Sequence, residues 1–352
     1  MKRKLRAGIC AATGTVGQRL IQLLANHPWF EVSAVAASDN SAGKKYAQAT
    51  RWMLETPIPE SVAEMTVRTC APGLDCDFVL SSLPSNVADQ AEVDLAKSGL
   101  PVISNASSHR MKADVPLLIP EINPDHLDAL TLQRKRIGGK GFIVTNPNCT
   151  SIGLVFPLAA IHRKFGLEAV SVVTMQAISG AGYPGVASLD ILDNVLPAID
   201  AGGEDHKVET EPLKLLGQWK NNAFVDAPIR MSVQTHRVHV RDGHLEAVTV
   251  KLSQKASRDD VEAAIRDFRS PIDELELPSA PRPAIYIEKD IQRPQPRLDR
   301  DRGNGMAVVV GPVQPCAVLD YKFRLCSHNT IRGAAGAAIL NAELLYKKGM
   351  LG

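Results

Sequence analysis

Cys149 stands in the run Thr145-Asn146-Pro147-Asn148-Cys149-Thr150-Ser151, between an apolar run and a helical pattern. Pro147 and Asn148 break a strand, and Thr150 and Ser151 suit a helix start. A cysteine placed there meets the positive end of a helix dipole, which favours thiolate, the nucleophilic form. The other five cysteines, at positions 10, 70, 76, 316 and 326, fall in strands or ordinary loops. They make no CxxC pair and no small-scaffold spacing, so neither a zinc site nor a disulfide framework is expected. A thiolate attacking a carbonyl needs a proton acceptor and a grip on the substrate. His244 follows an Asp242-Gly243 turn and Arg237 lies in the strand before it, a placement that aims an imidazole and a guanidinium into one cleft. Spacing alone leaves His244 undecided among nine histidines. His236 and His239, three apart on a strand, face opposite sides, which argues against a metal pair.

A second constellation is Ala11-Ala12-Thr13-Gly14-Thr15-Val16-Gly17, between a strand and a helix. Small residues at such a turn let the backbone approach a pyrophosphate, and the helix N-terminus supplies free N–H groups. Ala11 stands where the usual fingerprint has glycine. The next strand ends at Ser38-Asp39-Asn40-Ser41, followed by Lys44 and Lys45. Hydroxyls and cations suit a ribose 2′-phosphate, whereas Asp39 keeps a free 2′-hydroxyl open.

The elements that must carry these residues read as two textures. Strands are expected at Arg6–Ala12, Glu31–Ala37, Asp77–Ser82, Pro101–Ser104 and Gly141–Val144, with helices at Val16–Asn26 and before Lys97. That alternation implies an α/β, doubly wound, mostly parallel sheet. After about residue 150 come long strands at Leu167–Ile178, Met231–Val240, His244–Leu252, Met306–Val310 and Ala317–Leu325. Arg241-Asp242-Gly243 reads as a hairpin turn joining two of them. Helices are expected at Ser151–Lys164, Asp205–Trp219 and Asp259–Phe268, an α+β domain with a largely antiparallel sheet. Asn329–Lys348 reads as one Ala-rich helix and Arg293–Arg302 as a loop.

The 352 residues allow two domains or three small ones. Lys plus Arg is 40 and Asp plus Glu is 38, a balance that argues against a protein built to grip nucleic acid. No apolar run reaches the roughly 18 residues of a membrane span. The basic start Met1-Lys2-Arg3-Lys4 and the short apolar run after it do not make a signal peptide, so a cytoplasmic chain is expected.

Several segments together resemble one family. They are Ala12-Thr13-Gly14-Thr15-Val16-Gly17-Gln18-Arg19, Ser104-Asn105-Ala106-Ser107, Asn146-Pro147-Asn148-Cys149-Thr150, Met175-Gln176-Ala177-Ile178-Ser179-Gly180-Ala181-Gly182-Tyr183, Asp242-Gly243-His244 and His328-Asn329-Thr330-Ile331-Arg332-Gly333. The chain resembles the aspartate-β-semialdehyde dehydrogenases, in their archaeal and fungal branch, over nearly its whole length. The resemblance implies NADPH-dependent reduction of L-4-aspartyl phosphate to L-aspartate 4-semialdehyde with release of phosphate. That step leads toward diaminopimelate, lysine, methionine, threonine and isoleucine. It implies a Rossmann domain, residues 1–148 with the C-terminal helix 330–352, and a glyceraldehyde-3-phosphate dehydrogenase-like catalytic and dimerisation domain, residues 149–329. A homodimer or homotetramer follows, with no nucleic acid, membrane or metal partner.

Residue by residue, the resemblance makes Cys149 the nucleophile, His244 the acid/base and Gln176 the substrate-positioning amide. Arg237 would grip the substrate carboxylate, and Arg110, Asn105 and Lys207 the phosphate. Glu204 would lie near the substrate amine, and Asn148 is read as an oxyanion donor beside the thiolate. Thr13, Gly14, Thr15, Val16, Ser38, Ser41, Lys44 and Ser82 would line the NADP site, with Ser179, Gly180 and Asn329 on the nicotinamide side. The segment Gly202–Lys207 departs from the family pattern. Three other readings are a malonyl-CoA reductase on the same scaffold, N-acetylglutamyl-phosphate reductase, and a nucleotide-sensing protein without catalysis. The last predicts loss of a chemical residue, whereas Cys149, Gln176, Arg237 and His244 are all present.

Overall fold

The structure is a computed structural model and describes residues 3–352; Met1 and Lys2, part of the basic start, lie outside them. Five short apolar runs and one exposed polar edge strand form one parallel sheet: β1 (Leu5–Cys10), β2 (Phe30–Ala37), β3 (Arg68–Thr69, the edge), β4 (Phe78–Ser81), β5 (Pro101–Ser104) and β6 (Phe142–Thr145). Their order is β3-β2-β1-β4-β5-β6, with the sequence reversing direction beside β1. Strands buried on both faces need no alternation, which is why they read as continuous apolar runs. The Thr15–Leu24 helix buries Leu20, Ile21 and Leu24 against this sheet. In this sheet only the two-residue edge strand β3 escaped the sequence reading, being too short to show a period.

The second sheet is built from β7 (Leu167–Gln176), β8 (Leu196–Pro197), β11 (Arg230–Arg237), β12 (His244–Leu252), β13 (Ile285–Ile287), β14 (Val308–Val310), β15 (Gln314–Pro315) and β16 (Tyr321–Ser327). A separate ribbon pairs β9 (Gln218–Lys220) with β10 (Ala223–Val225). The large sheet runs β13-β14-β16-β12-β7-β11-β8. It is mixed: β11 lies parallel to β7, whereas β12 is antiparallel to both β7 and β16.

That order overturns the expected hairpin. β11 and β12 do not pair, because β7 lies between them. The six residues 238–243 cross over the end of β7, where Val238 N–H donates to Gln176 O and Ile178 N–H to Val240 O. Asp-Gly here turns the chain into β12 without making the two flanking strands neighbours. Local turn chemistry cannot see that a strand sixty residues earlier fills the gap.

Other boundaries moved. The expected strand at Ala317–Leu325 is Tyr321–Ser327, preceded by a loop that Asp320 O closes on Cys316 N–H. The Asp205–Trp219 helix is Gly203–Leu215, and Arg293–Arg302 contains one helical turn at Pro296–Asp299. The C-terminal segment is not one uniform helix: a π-helical stretch, Ile331–Ala335, leads into the α-helix Gly336–Lys347.

The Gly336–Lys347 helix returns to the first sheet, where Ile339, Leu340, Leu344 and Leu345 share a core with Ile9, Leu20 and Phe30. The Ser151–Phe165 helix is buried from Ser151 through Ile161 and packs on the second sheet. Leu117, Ile119 and Ile122, before β6, join that second core.

Candidate active site

Four strand ends meet at one end of the second sheet. Arg237, the last residue of β11, is the register partner of Gln176, the last of β7. His244, the first of β12, is the partner of Ser327, the last of β16, and the next residue, Leu245, pairs with Met175. Arg237, Gln176, His244 and Ser327 thus share one row, all buried. The row behind holds Thr235, Thr174 and Glu246; deeper positions such as Val172, Val233 and Val248 are apolar. The polar rows of the inner face mark the working end of the sheet.

Cys149 enters this edge from the loop after β6. Its Sγ lies 3.2 Å from Nε2 of His244. The helix beside it is capped by Asn148, not by Thr150 or Ser151. Asn148 Oδ1 accepts the N–H groups of Thr150 (2.8 Å) and Ser151 (3.3 Å), while its Nδ2 donates to Glu204 Oε1 at 2.8 Å. Asn148, expected as an oxyanion donor, therefore has one amide hydrogen left. The expected depression of the Cys149 thiol is reversed: burial, then the charge of Glu204, push it up to about 12, with Arg237 and Arg110 pulling the other way. One helix terminus does not offset desolvation of an anion. Gly333 packs so closely that a side chain there would start 2.7 Å from Cβ of Cys149. Gly180 is equally constrained, its missing Cβ lying 2.7 Å from Arg237 Nη1 and 3.3 Å from His244 Cε1.

The Gly203–Leu215 helix presents a charged stripe to the same place. Glu204 holds Asn148; Lys207 Nζ reaches Glu204 (3.4 Å) and Asp200 (3.2 Å). One turn on, Glu211 takes Arg110 Nη1 at 2.8 Å and the backbone N–H of Asn148 at 2.5 Å. Lys214 donates to the carbonyls of Arg110, Lys112 and Val115 at 2.7–3.0 Å. Glu211 and Lys214 went unnoticed in the sequence, although Glu204, Lys207, Glu211 and Lys214 follow the helical spacing of one face. Asn105 donates to Ser81 O, accepts from Asn146 Nδ2, and offers its own carbonyl to Arg110 Nη2 at 2.7 Å. It holds Arg110 as much as it offers an amide outward. Gln176 is fully buried, and both ends of its amide lack a partner among the described residues.

The glycine turn stands across a cleft of about 330 Å³ lined by Thr15, Arg19, Ser179, Asp242, Arg300 and His328. Ala11 adopts a left-handed φ of 57°. Gly14 precedes the helix and donates to Ala11 O; a side chain at Gly17 would start 2.3 Å from the same oxygen. Thr13 O is held by Gln18 Nε2, and Ala12 O by the Tyr46 hydroxyl. Thr15 and Val16 form the first helical turn, and the Thr15 hydroxyl is buried without a partner among the described residues. An orphaned donor at a helix N-terminus fits a phosphate ligand.

Ser38 is exposed, with its carbonyl accepting the N–H groups of Ser41 and Ala42; Lys44 Nζ rests on Asn40 O at 2.8 Å. Ser82 donates to Cys10 O at 3.0 Å, bracing β1. Asn329 accepts Gly243 N–H and donates to Ser179 Oγ, tying the Asp242-Gly243 turn to the 178–182 segment.

Two domain families match the chain: the NAD-binding domain of semialdehyde dehydrogenases over residues 6–130 and their dimerisation domain over residues 158–332. An aspartate-semialdehyde dehydrogenase of Archaeoglobus fulgidus is 47% identical over 97% of this chain and 98% of its own length. That of Saccharomyces cerevisiae is 41% identical over 100% of both. The solved aspartate semialdehyde dehydrogenase of Candida albicans with NADP superposes with a TM-score of 0.90 at 41% identity, covering 99% of this chain and 100% of the other. Aspartate semialdehyde dehydrogenase II of Vibrio cholerae complexed with ASA gives 0.76 at 25% identity, covering 98% and 99%. With Cys149 set against His244 at the strand ends of the second sheet, a glycine turn closing the first strand, and relatives alike from end to end, the chain belongs to the aspartate-semialdehyde dehydrogenase family.

Proposed function

We propose that the chain reduces L-4-aspartyl phosphate to L-aspartate 4-semialdehyde with NADPH, releasing inorganic phosphate, in the biosynthesis of lysine, methionine, threonine and isoleucine. The observation that carries this is the 3.2 Å contact of Cys149 with His244, flanked by Arg237 and Arg110, in a chain that aligns end to end with enzymes of that name.

Cys149 is the nucleophile, and its sulfur forms a thioester as phosphate leaves. His244 supplies the imidazole that meets the sulfur and the carbonyl oxygen. Arg237 fixes the substrate carboxylate and Gln176, with its unspent amide, orients the acyl group; a fixed approach converts a bimolecular encounter into an intramolecular one. Arg110, Lys207 and Asn105 receive the phosphate, and Glu204 stands toward the amine. NADPH, when bound, supplies the hydride. Thr13, Gly14, Thr15 and Val16 would hold its pyrophosphate, Ser38, Ser41 and Lys44 its 2′-phosphate, and Ser82, Ser179, Gly180 and Asn329 would flank its nicotinamide half.

The functional division is residues 1–148 with 330–352 for the nucleotide and 149–329 for chemistry and assembly. The assembly is a homodimer or homotetramer in the cytoplasm. Among the described residues no helix is long and apolar enough to cross a membrane.

The test runs the reaction backward. NADP and L-aspartate semialdehyde are supplied with phosphate or with CoA, and NADPH absorbance is followed. Phosphate-dependent NADPH formation is expected. Absence of turnover with phosphate overturns the assignment.

A further inference from the structure

Lys207 is shared by two carboxylates. Its Nζ lies 3.2 Å from Oδ2 of Asp200 and 3.4 Å from Oε2 of Glu204. Glu204 already accepts from Asn148 through its other oxygen. Asp200 reaches Lys207 from an unusual stretch of backbone. Ala198, Asp200 and Ala201 have φ of 51°, 56° and 51°, in the left-handed region that side chains disfavour. The surroundings hold them there. β8 pairs with the end of β11, Ala198 N–H donates to Thr235 O at 2.9 Å, and Ile199 N–H donates to Thr235 Oγ1 at 3.3 Å. Thr235 N–H in turn donates to Asp205 Oδ1 at 3.0 Å. The turn is thus clamped between the strand that carries Arg237 and the helix that carries Glu204 and Lys207. Backbone strain persists where neighbours over-determine it, and it gathers at functional sites. Gly203 leaves the room: a side chain there would start 3.0 Å from Asp200 Oδ2, the oxygen that meets Lys207.

The other cation of the phosphate site is held differently. Arg110 is locked by Glu211 and by the Asn105 carbonyl, and the side chains of the Arg110–Glu211 pair are 10% and 3% exposed. Those of Lys207 and Asp200 are 30% and 70% exposed. An exposed pair between a flexible lysine and a carboxylate is weak and opens readily, whereas breaking a buried one strands a charge. Lys207 is therefore the cation free to change partners. Arriving phosphate displaces Asp200, and departing phosphate hands Lys207 back to it.

We propose that Asp200 is a competing counter-ion for Lys207 and sets how tightly the site holds phosphate. This deepens, and rests on, the acyl-phosphate reading above. Asp200 acts through Lys207 and is a positioning residue; no bond is made or broken by it. The acyl phosphate has Arg237 and Glu204 for its other end. Free phosphate has only Arg110, Lys207 and Asn105. Competition at Lys207 thus falls hardest on the released product and clears the site for the next substrate.

The test measures binding, with inorganic phosphate as the probe. Full-length enzyme is saturated with NADP, which fills the nucleotide's own phosphate sites. Thermal unfolding is then followed over a phosphate series at constant ionic strength, and the protection gives a dissociation constant for each variant. Asp200→Asn keeps the size of the side chain and its tolerance of left-handed φ. It is expected to tighten phosphate about two- to fivefold, the range of an exposed ion pair. Lys207→Met should weaken phosphate, and adding Asp200→Asn to it should then change the constant by less than about 1.3-fold. An unchanged constant in Asp200→Asn, or the same gain with and without Lys207, overturns the proposal. In the reverse assay the KM for phosphate should fall by the same factor while that for L-aspartate semialdehyde stays; equal shifts in both would mark a general distortion and overturn it as well. Phosphate binding is read without turnover, so failure of the reverse assay is seen separately.

Discussion

Cys149 is held by contacts that are individually small and jointly restrictive. Its sulfur faces His244, its neighbour Asn148 is fixed by Glu204 and Glu211, and Gly333 presses on its Cβ. Cys149→Ser is expected to lower kcat by at least about 10³-fold while NADPH binding, followed by fluorescence, stays unchanged. Glu211 touches neither Sγ nor His244 in these contacts, but joins Arg110 to the backbone N–H of Asn148, just before Cys149. Removing a charged hydrogen-bond partner from a buried network costs about 1.5–3 kcal/mol. Glu211→Gln should therefore lower kcat/KM for phosphate by roughly 10–100-fold, and a change under twofold in steady-state kinetics would show that Arg110 holds itself.

The elements bring these residues together by their ends. The β7, β11 and β12 termini supply Gln176, Arg237 and His244, and the π-helical stretch Ile331–Ala335 supplies the bare face against Cys149. Gly333→Ala puts a methyl into that contact. A displacement of the nucleophile near 1 Å costs about 10²-fold in rate. The expected variant has kcat reduced to that degree with the Tm nearly kept; full activity would mean that the helix moves instead. At the glycine turn, Ala11 occupies a left-handed conformation that costs a non-glycine residue roughly 1–2 kcal/mol. The greater unfolded-state freedom of glycine returns about 0.4–1 kcal/mol of that. Ala11→Gly is expected to stabilise by up to about 1 kcal/mol in thermal unfolding, and a lowered Tm would contradict the strain. The turn itself was legible, because strand, small residues and helix follow one another locally. The arrangement of β11 and β12 was not, because β7 enters their gap from elsewhere in the chain.

At the scale of the molecule, the second core carries one unpaired acid. Glu246, one row behind His244, is fully buried and neither carboxylate oxygen has a partner among the described residues. Burial raises its pKa well above the ordinary carboxyl value. Below about pH 4.3, folded and unfolded chains both hold the proton and the group is neutral toward stability. Above it the unfolded chain releases the proton and the folded one keeps it. Stability then falls by about 1.4 kcal/mol per pH unit until the folded group also ionises. Glu246→Gln removes that slope. Its Tm should exceed the parent's by a margin that grows from about pH 5 to 7; an equal margin at every pH would show a carboxyl that does not titrate on unfolding.

The sequence by itself determined the parallel first sheet, the glycine turn and the place of Cys149 between strand and helix, and the family likeness said which residues to seek around it. Those features are written in contiguous segments, where periodicity and turn chemistry act over a few residues. Tertiary structure alone decided the order of strands in the second sheet, the Asn148 cap and the Glu211 and Lys214 supports. It also decided that burial, first among the causes, raises the Cys149 thiol, and that Nδ1 of His244 faces the Ala177 N–H. Each of these depends on groups distant in sequence that become neighbours only when the two cores close, and desolvation is a property of that closure rather than of any segment.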